Sequence, residues 1–324
     1  MDPRTAGVTA FAPATVANVA VGFDVLGFAL DGVGDRVTVR VVERAAQPVV
    51  VDGIDGVVAD LPTDPRRNTA SVALRAMVDD LGIDRPLGVQ VHKGIPLGSG
   101  MGGSAASAVG AVVAADRLLG LGLGRPRLLG YALAGEASAS GAPHADNAAP
   151  CLHGGLTAVV GHDPTRIVDL PVPSGIAYVV VHPRLRIETR AARALLAPNV
   201  PLGTFIEQSM RIAGFVAGCY RDDLGLVESS MVDLVAGPQR ARLIPGFDDA
   251  REAAISAGAF AFAISGSGPS VFAWVRAQGA PGAVADEVRA AFRRWGLTAE
   301  SWTGALGSPG ARVLDGRGGP ACGS

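Results

Sequence analysis

Residues 96–107 read PLGSGMGGSAAS, in which Pro96 and four glycines (Gly98, Gly100, Gly102, Gly103) lead into the alanine- and valine-rich run VGAVVAADRLL. The alternating VQVHKGIP before the loop has the period of a strand, and a helical pattern follows, so the loop delivers the chain to a helix N-terminus. The first amides of a helix have no partners inside it, and that end carries roughly half a positive charge from the aligned peptide dipoles. Glycines let the approaching backbone turn further amides onto one anion without Cβ clashes, and phosphate suits the arrangement. A glycine-rich turn that only closes a loop is the competing reading.

Three phosphate motifs can be compared with it. A Walker A loop needs Gly-Lys-Ser/Thr at its end, and no lysine follows these glycines. Gly98, Gly100 and Gly103 satisfy GxGxxG, but the dinucleotide fold requires an acidic residue ending the next strand, and Asp116 falls inside a helical stretch. The glycine loop of protein kinases is followed by a lysine-bearing strand, and here a helix follows.

The rest of the 324-residue chain narrows the partner. With 48% hydrophobic residues it can fill a sizeable core. A formal net charge of −2, with scattered basic residues and Lys93 as the only lysine, leaves no basic stripe for a nucleic-acid backbone. Cys151, Cys219 and Cys322 are widely spaced and odd in number, which argues against a disulfide framework and suits a reducing compartment. No CxxC or HExxH pattern marks a zinc site, and His144 and His153 stand too far apart for a metal clip. The apolar stretch AFAPATVANVAVGFDVLGFAL is broken by Pro13, Asn18, Asp24 and glycines, and it lacks the basic flank and cleavage site of a signal peptide. The chain reads as soluble and cytoplasmic, with neither nucleic acid nor membrane as a partner.

Elements must position this loop. Strand patterns occupy 8–11, 36–42 and 49–51; a helix over 68–81 has Asn68 as its N-cap and Gly82 as its stop. A strand at 89–92 precedes the loop, helices follow at 104–119 and 127–139, and a strand lies at 155–160. The proline-rich DLPVPSG at 169–175 marks a boundary, so residues 1–168 form one domain and 169–306 a second. Beyond it come a strand at 177–181, helices at 189–196, 204–220 and 248–257, strands AFAFAI and VFAWV around the turn SGSGPS, a helix at 281–295 and the strand TAESW. The glycine-rich tail 307–324 reads as disordered. Strands and helices mix in both halves, giving an α+β protein of two domains.

PLGSGMGGSAAS resembles the PxGxGLGSSAA loop of the GHMP kinases, in which loop and helix hold the ATP phosphates; Gly103 replaces the first of the two serines and Ser104 keeps the second. The resemblance implies nucleotide contacts at Pro96, Leu97, Gly98, Ser99, Gly100, Met101, Gly102, Gly103 and Ser104. Lys93, beside the loop, is a further candidate for the nucleotide. Asn68 and the apolar side chains near Val57 and Val72 are candidates for the adenine, with a plain helix cap as the alternative for Asn68.

Within that superfamily, PATVANVAVGFDVLGFAL at 13–30 is similar to the homoserine kinase motif PASxANLGPGFDxLGxAL, with Ala20 and Val21 in place of Gly-Pro. GEASASGAPHADNAAPCLHGG at 135–155 resembles that family's GExxxSGxxHxDNxxPxxxGG, and ISGSGPSVFA at 264–273 resembles its third motif. With RIETRAAR and GPQRARLIPGF, the resemblance runs from Val8 to about Trp302.

The resemblance implies the two-domain GHMP kinase fold: an N-terminal α+β domain with a left-handed βαβ crossover, a ferredoxin-like C-terminal domain, and an active site between them. It also implies a homodimer and an ATP- and Mg²⁺-dependent phosphorylation of the L-homoserine hydroxyl to O-phospho-L-homoserine, in threonine biosynthesis. By the same match, Ser104 and Glu136 supply the hydroxyl and carboxylate for Mg²⁺, hard oxygen donors of the kind that ion takes while keeping several waters. Arg193 and Arg240 match the arginines for the substrate carboxylate, and Arg242 is the alternative to Arg240 because Gly237 replaces the usual glutamate. Asp24 and Asp146 face the substrate ammonium, and Asn18, His144, Asn147 and Thr189 complete the pocket. Asn147 stands at the reacting hydroxyl. Asp146 is read as a substrate ligand rather than a general base, since a loose transition state needs little early deprotonation. Bland alternatives stand beside these roles: Ser104 as a helix cap, Glu136 and the arginines as solvated surface groups, His144 as a core histidine. The turn 265–270 is expected to wall the cleft. Two other functions compete, a mevalonate-type kinase of the same superfamily and a nucleotide-binding protein without transferase activity.

Overall fold

The structure, a computed structural model, describes residues 7–314. Two long antiparallel strands, β1 (Val8–Ala17) and β2 (Leu26–Val41), organise the first sheet. They extend well past the 8–11 and 36–42 patterns because Pro13 sits at a register shift between Pro13 and Thr15, a place where a missing N–H breaks no ladder bond. β3 (Val49–Gly56) and the crossover helix α1 (Thr69–Leu81) lead to β4 (Leu87–Lys93), which lies parallel to β3. Asn68 caps α1 through its Oδ1, which accepts from the Ala70 and Ser71 amides, and Gly82 ends it at φ 62°.

Helices α2 (Gly103–Leu119) and α3 (Arg125–Ser140) pack with α1, and a short α4 (Ala145–His153) leads into the hairpin β5 (Leu156–His162) and β6 (Thr165–Leu170). β5 pairs with the first residues of β2, so α4 is held at the end of β2 that faces the cleft. Neither α4 nor β6 was expected. Pro150 inside α4 breaks the helical pattern, because it has no N–H to donate to the carbonyl of Asp146.

The second unit follows with β7 (Ile176–Pro183), α5 (Thr189–Ala194), α6 (Leu202–Arg221), α7 (Leu224–Ser230), α8 (Gly237–Arg240), α9 (Phe247–Ser256), β8 (Ala259–Ile264), β9 (Val271–Arg276), α10 (Pro281–Arg294) and β10 (Ala299–Ala305). Its sheet runs β10–β7–β9–β8 with every pair antiparallel, the ferredoxin-like arrangement of a βαββαβ chain. Side chains of β7 and β9 alternate between two cores. Val179, Val181, Val271 and Ala273 meet α9 and α10, whereas Tyr178, Val180, Phe272 and Trp274 join the core of the first unit. Phe28 of β2 sits among Tyr178, Phe272 and Trp274, each ring centroid 5.8 Å away, so the two units share one aromatic cluster.

The units divide at 171–175, between β6 and β7, whereas a cut at 168/169 falls inside β6. The expectation of a disordered tail from 307 is corrected for residues 307–314. Ser308 Oγ donates to the Leu30 carbonyl, Pro309 bridges Gly154, and β11 (Arg312–Val313) adds to the edge of β1. The first sheet therefore reads β11–β1–β2–β4–β3. Glycine and proline in GSPGARV signalled disorder, but they are what lets the segment thread between α4 and β1; residues 315–324 lie outside the described residues. No helix among the described residues is long and apolar enough to cross a membrane.

Candidate active site

A cavity of about 640 Å³ opens between the two units, with the 96–104 loop on one side and residues 186–193, 240 and 266–267 on the other. The loop is held by its carbonyls. Gly98 O accepts from the Ile187 amide (3.2 Å), Ser99 O from the Ser270 amide (3.1 Å), Gly100 O from Ser265 Oγ (2.8 Å) and Met101 O from the Thr15 amide (3.1 Å). Across each trans peptide plane the following N–H points away from its carbonyl, and of these the Met101 amide donates to Ser99 Oγ at 3.3 Å. Two glycines are demanded by space as well as by backbone. A Cβ at Gly100 (φ 77°) would stand 2.4 Å from Ser265 O, and one at Gly102 (φ 69°), the N-cap of α2, would stand 2.2 Å from Thr15 Oγ1. The loop is thus a rigid cradle, and the reading of it as a loose turn is set aside.

Pro96, Leu97, Gly98, Ser99, Gly100, Gly102, Gly103 and Ser104 line the cavity, but Met101 does not: its side chain is fully buried in the core. Lys93 lines the cavity as well, with its ammonium already partnered. Its ammonium is buried and is bound to the Asp35 carboxylate, to the Gly103 carbonyl at 2.7 Å and to Ser107 Oγ at 3.0 Å. All three of its donors are used, so Lys93 braces the first turn of α2 from behind and has no proton left for a nucleotide. Ser104 Oγ donates to Glu136 Oε2 at 2.6 Å, and both line the cavity; Glu136 is buried rather than solvated. Asn68 reaches the wall while acting as the cap of α1, so its cap role is the one its hydrogen bonds show. Val57 and Val72 do not line the cavity; Leu61 and Pro62 do.

At the other end, the turn between β1 and β2 runs through positive φ at Asn18 (73°), Val19 (45°), Ala20 (57°) and Asp24 (58°). Asn18 ties it together, with Oδ1 accepting from the Asp24 amide at 3.0 Å and Nδ2 donating to Gly266 O at 2.9 Å. This aims Asp24 at Arg193, whose Nη2 reaches both carboxylate oxygens at 2.7 and 2.8 Å. Arg240 is buried, donates from Nη1 to Gly266 O at 3.0 Å, and lies over the Phe23 ring at 5.0 Å, with Arg193 at 5.4 Å from the same ring. Arg240 lines the cavity and Arg242 does not.

Asp146 and Asn147 come from the first turn of α4, with His144 at its N-cap. Asn147 Oδ1 accepts from Thr15 Oγ1 at 2.9 Å. Asp146 is only 3% exposed; burial, with the Asp24 carboxylate nearby, raises its pKa to about 7. His144 is shifted the other way, down, by burial and by the Arg193 and Arg240 charges, and it lines the cavity rather than the core. Thr189 Oγ1 stands 3.4 Å from Ser267 Oγ on the opposite wall. One cavity therefore gathers the Asp24 and Asp146 carboxylates, the Arg193 and Arg240 guanidinia and the glycine-rich cradle.

The comparisons agree with this geometry. Residues 68–155 match the N-terminal domain of the GHMP kinases and residues 215–294 their C-terminal domain. A homoserine kinase of Xylella fastidiosa (strain M12) is 46% identical over 312 residues, 96% of this chain and 95% of that protein. One from Chlorobaculum tepidum is 38% identical over 317 residues, covering 95% of this chain and 98% of its own. The crystal structure of homoserine kinase from Cytophaga hutchinsonii has a TM-score of 0.91 and 39% identity, covering 95% of this chain and 97% of that one. The chain belongs to the GHMP kinases, in the homoserine kinase family.

For a homoserine kinase, the departures from the motifs find local answers. Where glutamate is replaced by Gly237, the Asp233 carboxylate accepts from the Val235, Ala236 and Gly237 amides and lends its charge to Arg240. Ala20 stands at a family glycine and carries the positive φ that glycine would bear without strain. GHMP kinases use ATP, and the cavity-lining Arg66, Arg67, Arg186 and Arg190 escaped the sequence reading because no motif singled them out.

Proposed function

We propose that this chain transfers the γ-phosphoryl group of ATP to the side-chain hydroxyl of L-homoserine, giving O-phospho-L-homoserine and ADP. One observation carries the reading: the cradle and the Asp24–Asp146–Arg193–Arg240 cluster face one cavity, so a phosphate donor and a zwitterionic acceptor can lie end to end. The guanidinia suit the carboxylate of the amino acid, and the two aspartates suit its ammonium. A mevalonate-type substrate has a carboxylate and no ammonium, and would leave Asp146 facing nothing positive.

Ser104 and Glu136 fit Mg²⁺, because a buried carboxylate in contact with a hydroxyl offers the hard oxygens such an ion takes. Bound there, the ion would offset the charge of the phosphates. The protein's own part is positioning. Thr15 holds Asn147 by its amide oxygen, which orients that side chain toward the acceptor, and the Asn18–Gly266 bond joins the two walls of the acceptor end. Asp146 binds the ammonium and abstracts no proton. A homodimer and a role in threonine biosynthesis follow from the same family reading; light scattering on the purified chain tests the dimer.

An ADP-release assay with homoserine, mevalonate, galactose and shikimate tests the activity. Turnover with homoserine far above the others is expected. Preferred turnover of mevalonate, or nucleotide binding with no acceptor turned over, refutes it.

A further inference from the structure

The cradle lacks a cation of its own. No lysine follows the glycines, and the ammonium of Lys93 is spent on Asp35, Gly103 and Ser107. A triphosphate keeps net negative charge even beside one divalent ion, and a helix end contributes only roughly half a charge. We propose that Arg186, from the second unit, supplies this charge to the nucleotide phosphates. The inference rests on the ATP-binding part of the function proposed above.

Three observations place it there. Arg186 lies directly on the cradle: a Cβ at Gly98 would come within 2.6 Å of its Cγ. Its position is fixed by the next residue, since the Ile187 amide donates to Gly98 O at 3.2 Å. Arg186 lines the cavity and, among the described residues, its side chain makes no ion pair or hydrogen bond. Of the other arginines, Arg184 pairs with Glu300 (3.1 Å), Arg193 binds Asp24 and Arg240 binds Gly266 O; Arg66, Arg67 and Arg190 line the same cavity, but it is the Arg186 side chain that lies against Gly98 of the cradle. A planar guanidinium held by its stem against Gly98 can donate two N–H groups to phosphate oxygens, and it joins the second unit to the phosphates that the first unit cradles.

Binding of ATP, ADP and adenosine to Arg186→Ala and Arg186→Lys, measured by calorimetry, tests this. A charge-assisted phosphate contact predicts that Arg186→Ala weakens ATP by about ten- to a hundredfold and leaves adenosine unchanged, with partial recovery in Arg186→Lys. The homoserine KM and the melting temperature should not move, and Arg184→Ala should bind ATP as the parent does. Unchanged ATP affinity in Arg186→Ala overturns the proposal, as does equal weakening of ATP and adenosine, or a lowered melting temperature with no loss specific to phosphates. If the parent binds ATP but does not phosphorylate homoserine, the functional reading fails while the loss of ATP affinity in Arg186→Ala still decides this one.

Discussion

Replacing Asp146 by Asn separates substrate binding from base catalysis, and it also exposes what a buried carboxylate costs. Burial and the Asp24 charge raise the Asp146 pKa from 3.8 to about 7 in the ligand-free protein. Between those values the folded state holds a proton that the unfolded state has lost, so the stability of the free protein falls as pH rises. The penalty is absent below about pH 4, grows by at most about 1.4 kcal/mol per pH unit, and is complete above pH 7. Three units correspond to about 4 kcal/mol, a ceiling because the pocket admits water when empty. Asp146→Asn removes the ionisation and keeps the shape. At pH 8 it should therefore melt above the parent by up to about 6 °C, using roughly 2 cal/mol/K of unfolding entropy per residue over 324 residues. At pH 4.5 the two should melt nearly together. The same variant should raise the homoserine KM at least tenfold while kcat changes little, since the ammonium loses its carboxylate. In the parent, homoserine binding should release protons near pH 7, and its apparent affinity should fall as pH drops below 7. Melting scans from pH 4.5 to 8 and steady-state kinetics check both halves. A melting difference that is flat with pH would refute the buried-carboxylate argument; a collapse of kcat at constant KM would make Asp146 the base.

Glu136→Gln keeps a partner for Ser104 Oγ but removes the charge, so the Mg²⁺ concentration giving half-maximal rate should rise about ten- to a hundredfold with little change in melting temperature. Lys93→Met leaves the Asp35 carboxylate buried and unpaired, and urea unfolding should show a loss of about 3–5 kcal/mol, part of which the double variant with Asp35→Asn restores. Phe28→Ala empties the aromatic cluster shared by both units and should cost about 3–5 kcal/mol in the same assay, with ATP KM and homoserine KM both raised because the cleft walls lose their common support.

What was legible in the sequence follows from how each signal is generated. The cradle could be read because its function is written in local backbone needs: positive φ at Gly98, Gly100 and Gly102, then a helix start. Asn68 and Gly82 bracketed α1 for the same reason. For Lys93, proximity in sequence to the loop says nothing about Asp35, 58 residues away, which pairs with its ammonium. The tail was misread because glycine and proline report on the freedom of a chain, while the order of residues 307–314 comes from contacts with Leu30, Gly154 and β1 that sit far off in sequence. Arg186 was invisible because it matters through a contact with Gly98 that only the closed pair of units creates. The substrate end was legible through its resemblance to family motifs and not through local pattern. That end is assembled from α4, the 18–24 turn and α8, short or strained pieces with weak local patterns, and Asn18 of the first unit and Arg240 of the second both donate to the single carbonyl of Gly266. A site whose two halves meet at one acceptor requires the units to keep their relative placement, and the Phe28 cluster beneath it provides that constraint.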